Sequence, residues 1–188
     1  MLLKGGNAAD AAVAAAIALT VVEPVMNGIG SDAFALVWDG ATLSGLNGSG
    51  RSPASWSRDR FSGRSAMPTE GWDAVTVPGA VSAWAALSAR FGRLPFEELF
   101  QPAIEYARGG FLVSPTVAGQ WQGQVARLES QPGFAGAFLR NGRAPHAGER
   151  FRFPEQASTL EEIAATTGES FYRGTLAETI SSFASGES

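Results

Sequence analysis

The chain of 188 residues is 45% hydrophobic and 17% charged, which suits a folded domain with a core and argues against disorder. Its net charge of −4 argues against a generally basic face for nucleic acid. Because it has no cysteine and a single histidine, His146, disulfides, thiolate metal sites and multi-histidine metal sites within it are excluded. We therefore expect no cofactor and no nucleic-acid partner.

The first predicted element is an alanine-rich helix over Ala8–Val22. Asn7 is a favourable N-cap, and Asp10 places a carboxylate near the free N–H groups of the first turn. The helix is apolar nearly all round beyond Asp10, which predicts burial on most sides. A membrane span needs about 20 strongly apolar residues, and this run stops at Pro24, so we expect no membrane partner. A signal peptide is the alternative interpretation.

A glycine-containing turn over residues 27–32 follows, and Asp32 either caps this turn or lines a pocket; we favour the cap. Ala33–Trp38 is predicted to be a strand that is apolar on both faces and therefore central in a sheet. Asp39-Gly40 is a hairpin signal, residues 42–46 form the returning strand and residues 47–53 form a loop. Residues 74–77 are predicted to be a further short strand.

The remainder of the chain is predicted to be mostly helical. Pro95, Ser114-Pro115 and Pro154 mark helix starts. The aromatic residues Trp84, Trp121 and Phe171 are expected in the core, without a ligand. The predicted helices cover residues 80–91, 95–108, 114–128, 154–166 and 175–183, with a Gly/Pro-rich connector over residues 131–149.

Several segments in a fixed order resemble the γ-glutamyltranspeptidase family. The opening KGGNAADAAVAAAIALTVVEPVMNGIGSDAFALVWD over residues 4–39 carries a helix, a glycine loop and a strand in the family's order. The segments that continue the resemblance are TVPGAV at residues 76–81, RFGRLPF at 90–96, PAI at 102–104, GF at 110–111, VSP at 113–115, GER at 148–150 and FYRG at 171–174. Each segment is weak alone, but their succession along the chain is specific.

The resemblance implies an N-terminal-nucleophile hydrolase with an αββα sandwich, whose precursor cuts itself into a large and a small subunit. The new terminal threonine of the small subunit is nucleophile and, through its α-amine, general base. We expect an α+β fold: a partial αββα sandwich with a helix-rich C-terminal half. Residues 1–188 form one partial domain, with a helix and strands in 1–78 and mostly helices in 79–188. The resemblance places the catalytic threonine outside this chain, which therefore holds no catalytic residue.

Ser49 and Arg51 are the candidate substrate-binding residues. In the family, an arginine in an L-D-G-R-E-x-x-P segment grips the α-carboxylate of the glutamyl group, which its planar guanidinium fits. Residues 46–53 read LNGSGRSP here, so the family's arginine position falls on Ser49 and Arg51 lies two residues later. In one reading Arg51 reaches back through the flexible loop and binds the same carboxylate; in a second reading Ser49 contacts a different acyl group, as in cephalosporin acylases. In the third reading Arg51 is an ordinary surface or structural arginine, and we favour this reading over either of the other two taken alone.

The resemblance predicts the large-subunit fragment of an enzyme that transfers or hydrolyses γ-glutamyl amides such as glutathione, inactive without the rest of the protein. The alternatives are a cephalosporin or glutaryl acylase-like amidohydrolase and a non-catalytic binding or scaffold module. The expected partners are a small-molecule amide and the small subunit of the same precursor. Apolar surface left open by an incomplete sandwich also predicts a homo-oligomer. We favour a cytoplasmic location over a periplasmic or secreted one.

Overall fold

The computed structural model describes residues 1–186, in which helices dominate and the strands form two small sheets. The predicted α+β class and the helix-rich second half are confirmed. The helices are α1 Ala8–Val22, α2 Ala80–Phe91, α3 Gln101–Gly109, α4 Pro115–Leu128, α5 Phe134–Phe138, α6 Pro154–Ala165, α7 Glu169–Arg173 and α8 Thr175–Gly186. The strands are β1 Ala33–Trp38, β2 Leu43–Gly48, β3 Phe111–Leu112 and β4 Arg150–Phe151. Short 3-10 helices cover Leu2–Lys4, Arg58–Phe61, Trp72–Ala74 and Phe96–Phe100.

The predicted capping pair at the start of α1 is confirmed. The Asn7 side chain accepts from the Asp10 N–H (3.1 Å), and the Asp10 carboxylate accepts from the Asn7 N–H (2.8 Å). Asp10 is fully buried, and its carboxylate also accepts from the N–H groups of Arg93 (3.1 Å) and Leu94 (3.4 Å). Asp10, which completes the capping box with Asn7, therefore also fastens α1 to the turn after α2.

The core lies where α1, α3 and α6 meet the 3-10 helix Phe96–Phe100. Ile17, Phe100 and Leu160 are fully buried there. The core positions predicted for the aromatic residues are confirmed, since Trp84, Trp121 and Phe171 are 3%, 3% and 5% exposed.

One face of α1 contradicts the prediction of burial on most sides. Ala8, Ala12 and Ala15 are exposed, and Leu19 is 41% exposed. These positions recur at helical spacing on the side away from α2 and α3, so the described residues leave this stripe uncovered.

The hairpin of β1 and β2 is antiparallel and lies on α2. Its outer face carries Phe34, Leu36 and Trp38, which are 66%, 77% and 63% exposed, together with Leu43 from β2. The predicted strand is confirmed, but in residues 1–186 β1 pairs with β2 alone and is not central in a sheet. The expected open apolar surface is present on this face.

The strand predicted over residues 74–77 is wrong. Trp72–Ala74 is a 3-10 helix, and only Val77 pairs, in a single antiparallel bridge with Arg51. Pro78 has no N–H to continue the ladder, which explains why the pairing stops there.

The helix predicted from Pro95 is split. It begins as the 3-10 helix Phe96–Phe100, and the α-helix starts only at Gln101, with Pro102 in its first turn. The structure also adds α5 inside the predicted connector, the two-residue strands β3 and β4, and α7. In the described residues no helix combines the length and apolarity that crossing a membrane requires.

Glu149 stabilises the turn that leads into β4. Its carboxylate accepts two hydrogen bonds from the Arg143 guanidinium (3.0 and 2.8 Å) and one from the His146 N–H (3.0 Å). The bonds from Arg143, followed by the bond from His146, lower the pKa of Glu149 from 4.5 to about 2. His146 itself is exposed, as expected for a residue of the connector.

We predict that Glu149→Gln makes the chain less stable at neutral pH but not at pH 2. The pKa of Glu149 is lower in the folded state, so its contribution is present above about pH 4.5 and is lost as the pH falls towards 2. Urea unfolding of both proteins between pH 2 and 7 measures this. The control is Glu105→Gln, because Glu105 is exposed and makes no side-chain hydrogen bond within the described chain. A stability difference that does not change with pH would contradict the prediction.

Candidate substrate pocket

A cavity of about 860 Å³ opens beside the end of the hairpin and contains both sequence-predicted site residues. Residues 47–51, which include Ser49 and Arg51, form one wall. Residues 77–79 and the first two turns of α2 form the floor, and α7 with the turn before it forms the opposite wall. The cavity therefore joins segments that are more than 100 residues apart in the sequence.

The wall and the floor meet backbone to backbone. The Val77 N–H donates to the Arg51 carbonyl (2.9 Å). A Cβ on Gly79 would lie 1.9 Å from the Gly48 carbonyl oxygen, and a Cβ on Gly50 would lie 1.9 Å from the Val77 oxygen. Gly50 also has a φ of 77°, which other residues rarely adopt. Only glycine allows these two segments to approach so closely.

Arg51 brings an unpaired positive charge to the cavity. Its side chain is exposed and makes no hydrogen bond or ion pair within residues 1–186. Ser49 is half-buried, and its hydroxyl is likewise without a hydrogen bond to any described residue. The backbone of Ser49 is held, since its N–H donates to Asn47 Oδ1 (3.0 Å) and its carbonyl accepts from Thr76 (3.5 Å).

The opposite wall carries charged groups that are already paired. Arg173 Nη1 lies 3.2 Å from Glu169 Oε1, one helical turn away on α7. The lining has a net charge of +1, because it contains two arginines, Arg51 and Arg173, and one glutamate, Glu169. Thr167 lies in the same wall with a φ of 51°, an unfavourable conformation for a β-branched residue. The cavity thus favours an anionic ligand, and Arg51 is its available cation.

Tyr172 is a pocket residue that the sequence analysis missed. Its hydroxyl donates to the Pro78 carbonyl (2.8 Å) and accepts from the Ser82 N–H (3.0 Å), so it links α7 to the floor. In the sequence, Phe171-Tyr172-Arg173-Gly174 stands out only as a segment of the family resemblance. Nothing local to the sequence indicates that α7 folds back against residues 77–79.

Asp32 has neither of the roles considered for it. It is exposed, does not line the cavity, and makes no side-chain hydrogen bond in the described part of the chain, so the predicted cap is wrong. Ser31 fixes this turn instead, since its carbonyl accepts from the Ala80 N–H (2.9 Å). Among residues 1–186 no three His, Asp or Glu side chains gather in a way that could hold a metal ion.

We predict that Gly79→Ala destabilises the chain by about 1–3 kcal/mol, the usual cost of overpacking, because a backbone atom occupies the space that the new methyl group needs. The matched control is Gly123→Ala in α4. A Cβ there meets nothing within 4 Å, so this variant is expected to be neutral or more stable by up to about 1 kcal/mol. Chemical unfolding of both variants provides the comparison, and equal effects would contradict the prediction.

Comparison with known proteins identifies the family. The family model described as Gamma-glutamyltranspeptidase matches residues 1–187. The chain is 43% identical over 183 residues to the glutathione hydrolase-like YwrD proenzyme of Bacillus subtilis, covering 96% of this chain and 35% of that protein. It is 38% identical over 187 residues to the oxamate amidohydrolase proenzyme of Klebsiella pneumoniae, covering 95% of this chain and 35% of that protein.

A solved structure supports the same assignment. The crystal structure of cephalosporin acylase from Bacillus halodurans superposes with a TM-score of 0.91 at 48% identity, over 97% of this chain and 36% of that one. The chain thus spans about a third of the length of these relatives. The expected partial N-terminal-nucleophile hydrolase fold is confirmed. The chain belongs to the γ-glutamyltranspeptidase family.

Proposed function

We propose that this chain is part of the large subunit of an enzyme that hydrolyses or transfers γ-glutamyl amides such as glutathione, and that it supplies the wall which binds the acyl group. The observation that carries the proposal is the unpaired guanidinium of Arg51 in a cavity whose lining has a net positive charge. A guanidinium binds a carboxylate through two parallel hydrogen bonds, which fix both the position and the orientation of the acyl group.

The names of two relatives support a substrate with a carboxylate on its acyl side. Glutathione and oxamate are both amides of this kind: the γ-glutamyl group carries an α-carboxylate, and oxamate carries a carboxylate beside its amide carbonyl. The position that carries an arginine in the family is occupied here by Ser49. The chain turns at Gly50, which has a positive φ, and Arg51 lines the same cavity as Ser49. Arg51 is our candidate for the carboxylate-binding role.

In the proposed reaction, the residues of this chain bind and orient the substrate. Arg51 holds the acyl carboxylate, and the hydroxyl of Ser49 is available for a further hydrogen bond to the acyl group. The attacking hydroxyl belongs to the amino-terminal threonine of the small subunit, which lies outside this chain. That oxygen forms an ester with the acyl carbon, the amine leaves with a proton, and water or an amino acceptor then releases the acyl group.

The outer face of the hairpin supports the proposal that more protein completes the enzyme. Phe34, Leu36, Trp38 and Leu43 are each more than 60% exposed on one side of this two-stranded sheet. We propose that the small subunit of the same precursor is the partner, and a homo-oligomer is the alternative. Two of the relatives are named as proenzymes, in agreement with a precursor that is processed.

An acylase that removes glutaryl or similar side chains is the second candidate. An uncharged Ser49 stands at the family's arginine position, and the similarity to a cephalosporin acylase structure is high. A glutaryl group carries its carboxylate at the same distance from the amide carbonyl as a γ-glutamyl group and lacks only the α-amino group, so in this reading Arg51 binds that carboxylate.

We predict that the purified chain shows no turnover of glutathione, γ-glutamyl-p-nitroanilide or glutaryl-p-nitroanilide, whereas the full-length product of its gene shows turnover of at least one. The physical reason is that the chain offers binding groups without the attacking threonine. Release of p-nitroaniline measures both. Turnover by the chain alone, or an inactive but correctly processed full-length protein, would contradict the proposal.

In the full-length enzyme, Arg51→Ala should raise KM for the carboxylate-bearing substrate by roughly 10- to 100-fold. A hydrogen bond to a charged group contributes about 1.5–3 kcal/mol, and about 1.4 kcal/mol corresponds to a factor of ten. An otherwise identical amide whose carboxylate is replaced by a carboxamide should lose this dependence. Arg58→Ala is the control, since Arg58 is an exposed arginine outside the cavity. Equal KM changes for both substrates would argue against carboxylate binding by Arg51.

A further inference from the structure

We infer that Tyr172 is a positioning residue that holds the backbone of the Arg51 loop, residues 47–51, in place through the floor of the cavity. The inference rests on the proposed function only for its consequence in catalysis; the positioning itself follows from contacts within the chain. Tyr172 touches neither Arg51 nor Ser49 through a hydrogen bond, and it acts by way of Pro78 and Val77.

The hydroxyl of Tyr172 satisfies two backbone groups at once. It donates to the carbonyl of Pro78, before the N-cap residue Gly79, and accepts from the N–H of Ser82, inside α2. The Ser82 N–H belongs to the first turn of α2, where N–H groups have no acceptor within the helix. One phenolic oxygen therefore fixes both the carbonyl before the helix and the N–H just inside it.

The floor transmits this constraint to Arg51 by direct contacts. Val77, the neighbour of Pro78, donates its N–H to the Arg51 carbonyl (2.9 Å). On the other side of Pro78, Gly79 lies against Gly48 and Gly50 with no space for a methyl group. The segment of residues 77–79 therefore contacts the Arg51 loop on one side and Tyr172 on the other.

Tyr172 is itself anchored in a way that suits this role. The ring of its neighbour Phe171 packs edge-on against it (5.2 Å between centroids), and Phe171 is buried in the core. The turn between α6 and α7 is also fixed, because the Gly168 N–H donates to the Ile163 carbonyl of α6 (2.8 Å). The carboxylate of Glu162 also accepts from the hydroxyls of Ser170 and Thr175, so α6, α7 and the start of α8 form one unit.

Tyr172→Phe tests the inference, because it removes one oxygen and keeps the ring. The matched control is Tyr106→Phe: Tyr106 is the other tyrosine of the chain, lies on α3, and its hydroxyl has no hydrogen bond to the described residues. The first measurement is amide hydrogen exchange in the purified chain. We expect about tenfold faster exchange at Val77 in Tyr172→Phe, no change there in Tyr106→Phe, and unchanged exchange at the core residue Ile17 in both.

The second measurement is steady-state kinetics of the full-length protein. We expect Tyr172→Phe to raise KM for the carboxylate-bearing amide about five- to tenfold with little change in kcat, and to have no further effect on KM when Arg51→Ala is already present. An additive effect in the double variant would show that Tyr172 does not act through Arg51.

The two measurements separate failure of the inference from failure of the proposed function. Unchanged exchange at Val77 overturns the inference whatever the enzyme does. Faster exchange at Val77 together with an unchanged KM for the carboxylate-bearing amide also overturns it. Faster exchange in a protein that cleaves no γ-glutamyl or acyl amide would disprove the proposed function and leave the positioning of Arg51 by Tyr172 supported.

Discussion

The candidate site depends on one contact between two stretches of backbone. The carbonyl of Gly48, at the end of the hairpin, lies where a Cβ on Gly79 would be, at the start of α2. Because no side chain separates them, α2 begins directly against the hairpin, and Val77 comes within hydrogen-bond reach of Arg51. Glycine at positions 48 and 79 therefore allows the wall and the floor of the cavity to lie in direct contact.

The buried carboxylate of Asp10 fixes the other end of α2. Asp10 accepts hydrogen bonds from the N–H groups of Asn7, Arg93 and Leu94, and the Asn7 amide donates to the carbonyl of Phe91 (2.6 Å). A buried charge is tolerated only when it is well hydrogen-bonded, and here backbone donors supply those bonds. The two ends of α2 are thus fixed to different partners, α1 at one end and the hairpin at the other, so the floor of the cavity is rigidly tied to the core.

The features that sequence reasoning predicted correctly are those with local causes. The capping pair of Asn7 and Asp10, the hairpin at Asp39-Gly40 and the buried aromatic residues each follow from a few neighbouring residues or from hydrophobicity. The failures involve competition between local preference and distant contacts. Residues 74–77 contain β-branched side chains typical of a strand, but Pro78 ends the pairing and Tyr172 captures its carbonyl. Asp32 is a favourable turn residue that the fold leaves without a role, because Ser31 makes the contact to α2.

The family, the α+β class, the main helices and the choice of Ser49 and Arg51 as candidate binding residues can all be read from the sequence, because these rest on ordered motifs and on local hydrogen-bonding and packing preferences. Three features became visible only in the folded chain: Arg51 has no side-chain partner among the described residues, α7 lies opposite it across a cavity, and the Tyr172 hydroxyl bonds to Pro78 in the floor of that cavity. One hydrogen bond joins Val77 to Arg51 and another joins Tyr172 to Pro78, 94 positions away, and no periodicity or local propensity carries information over such a separation.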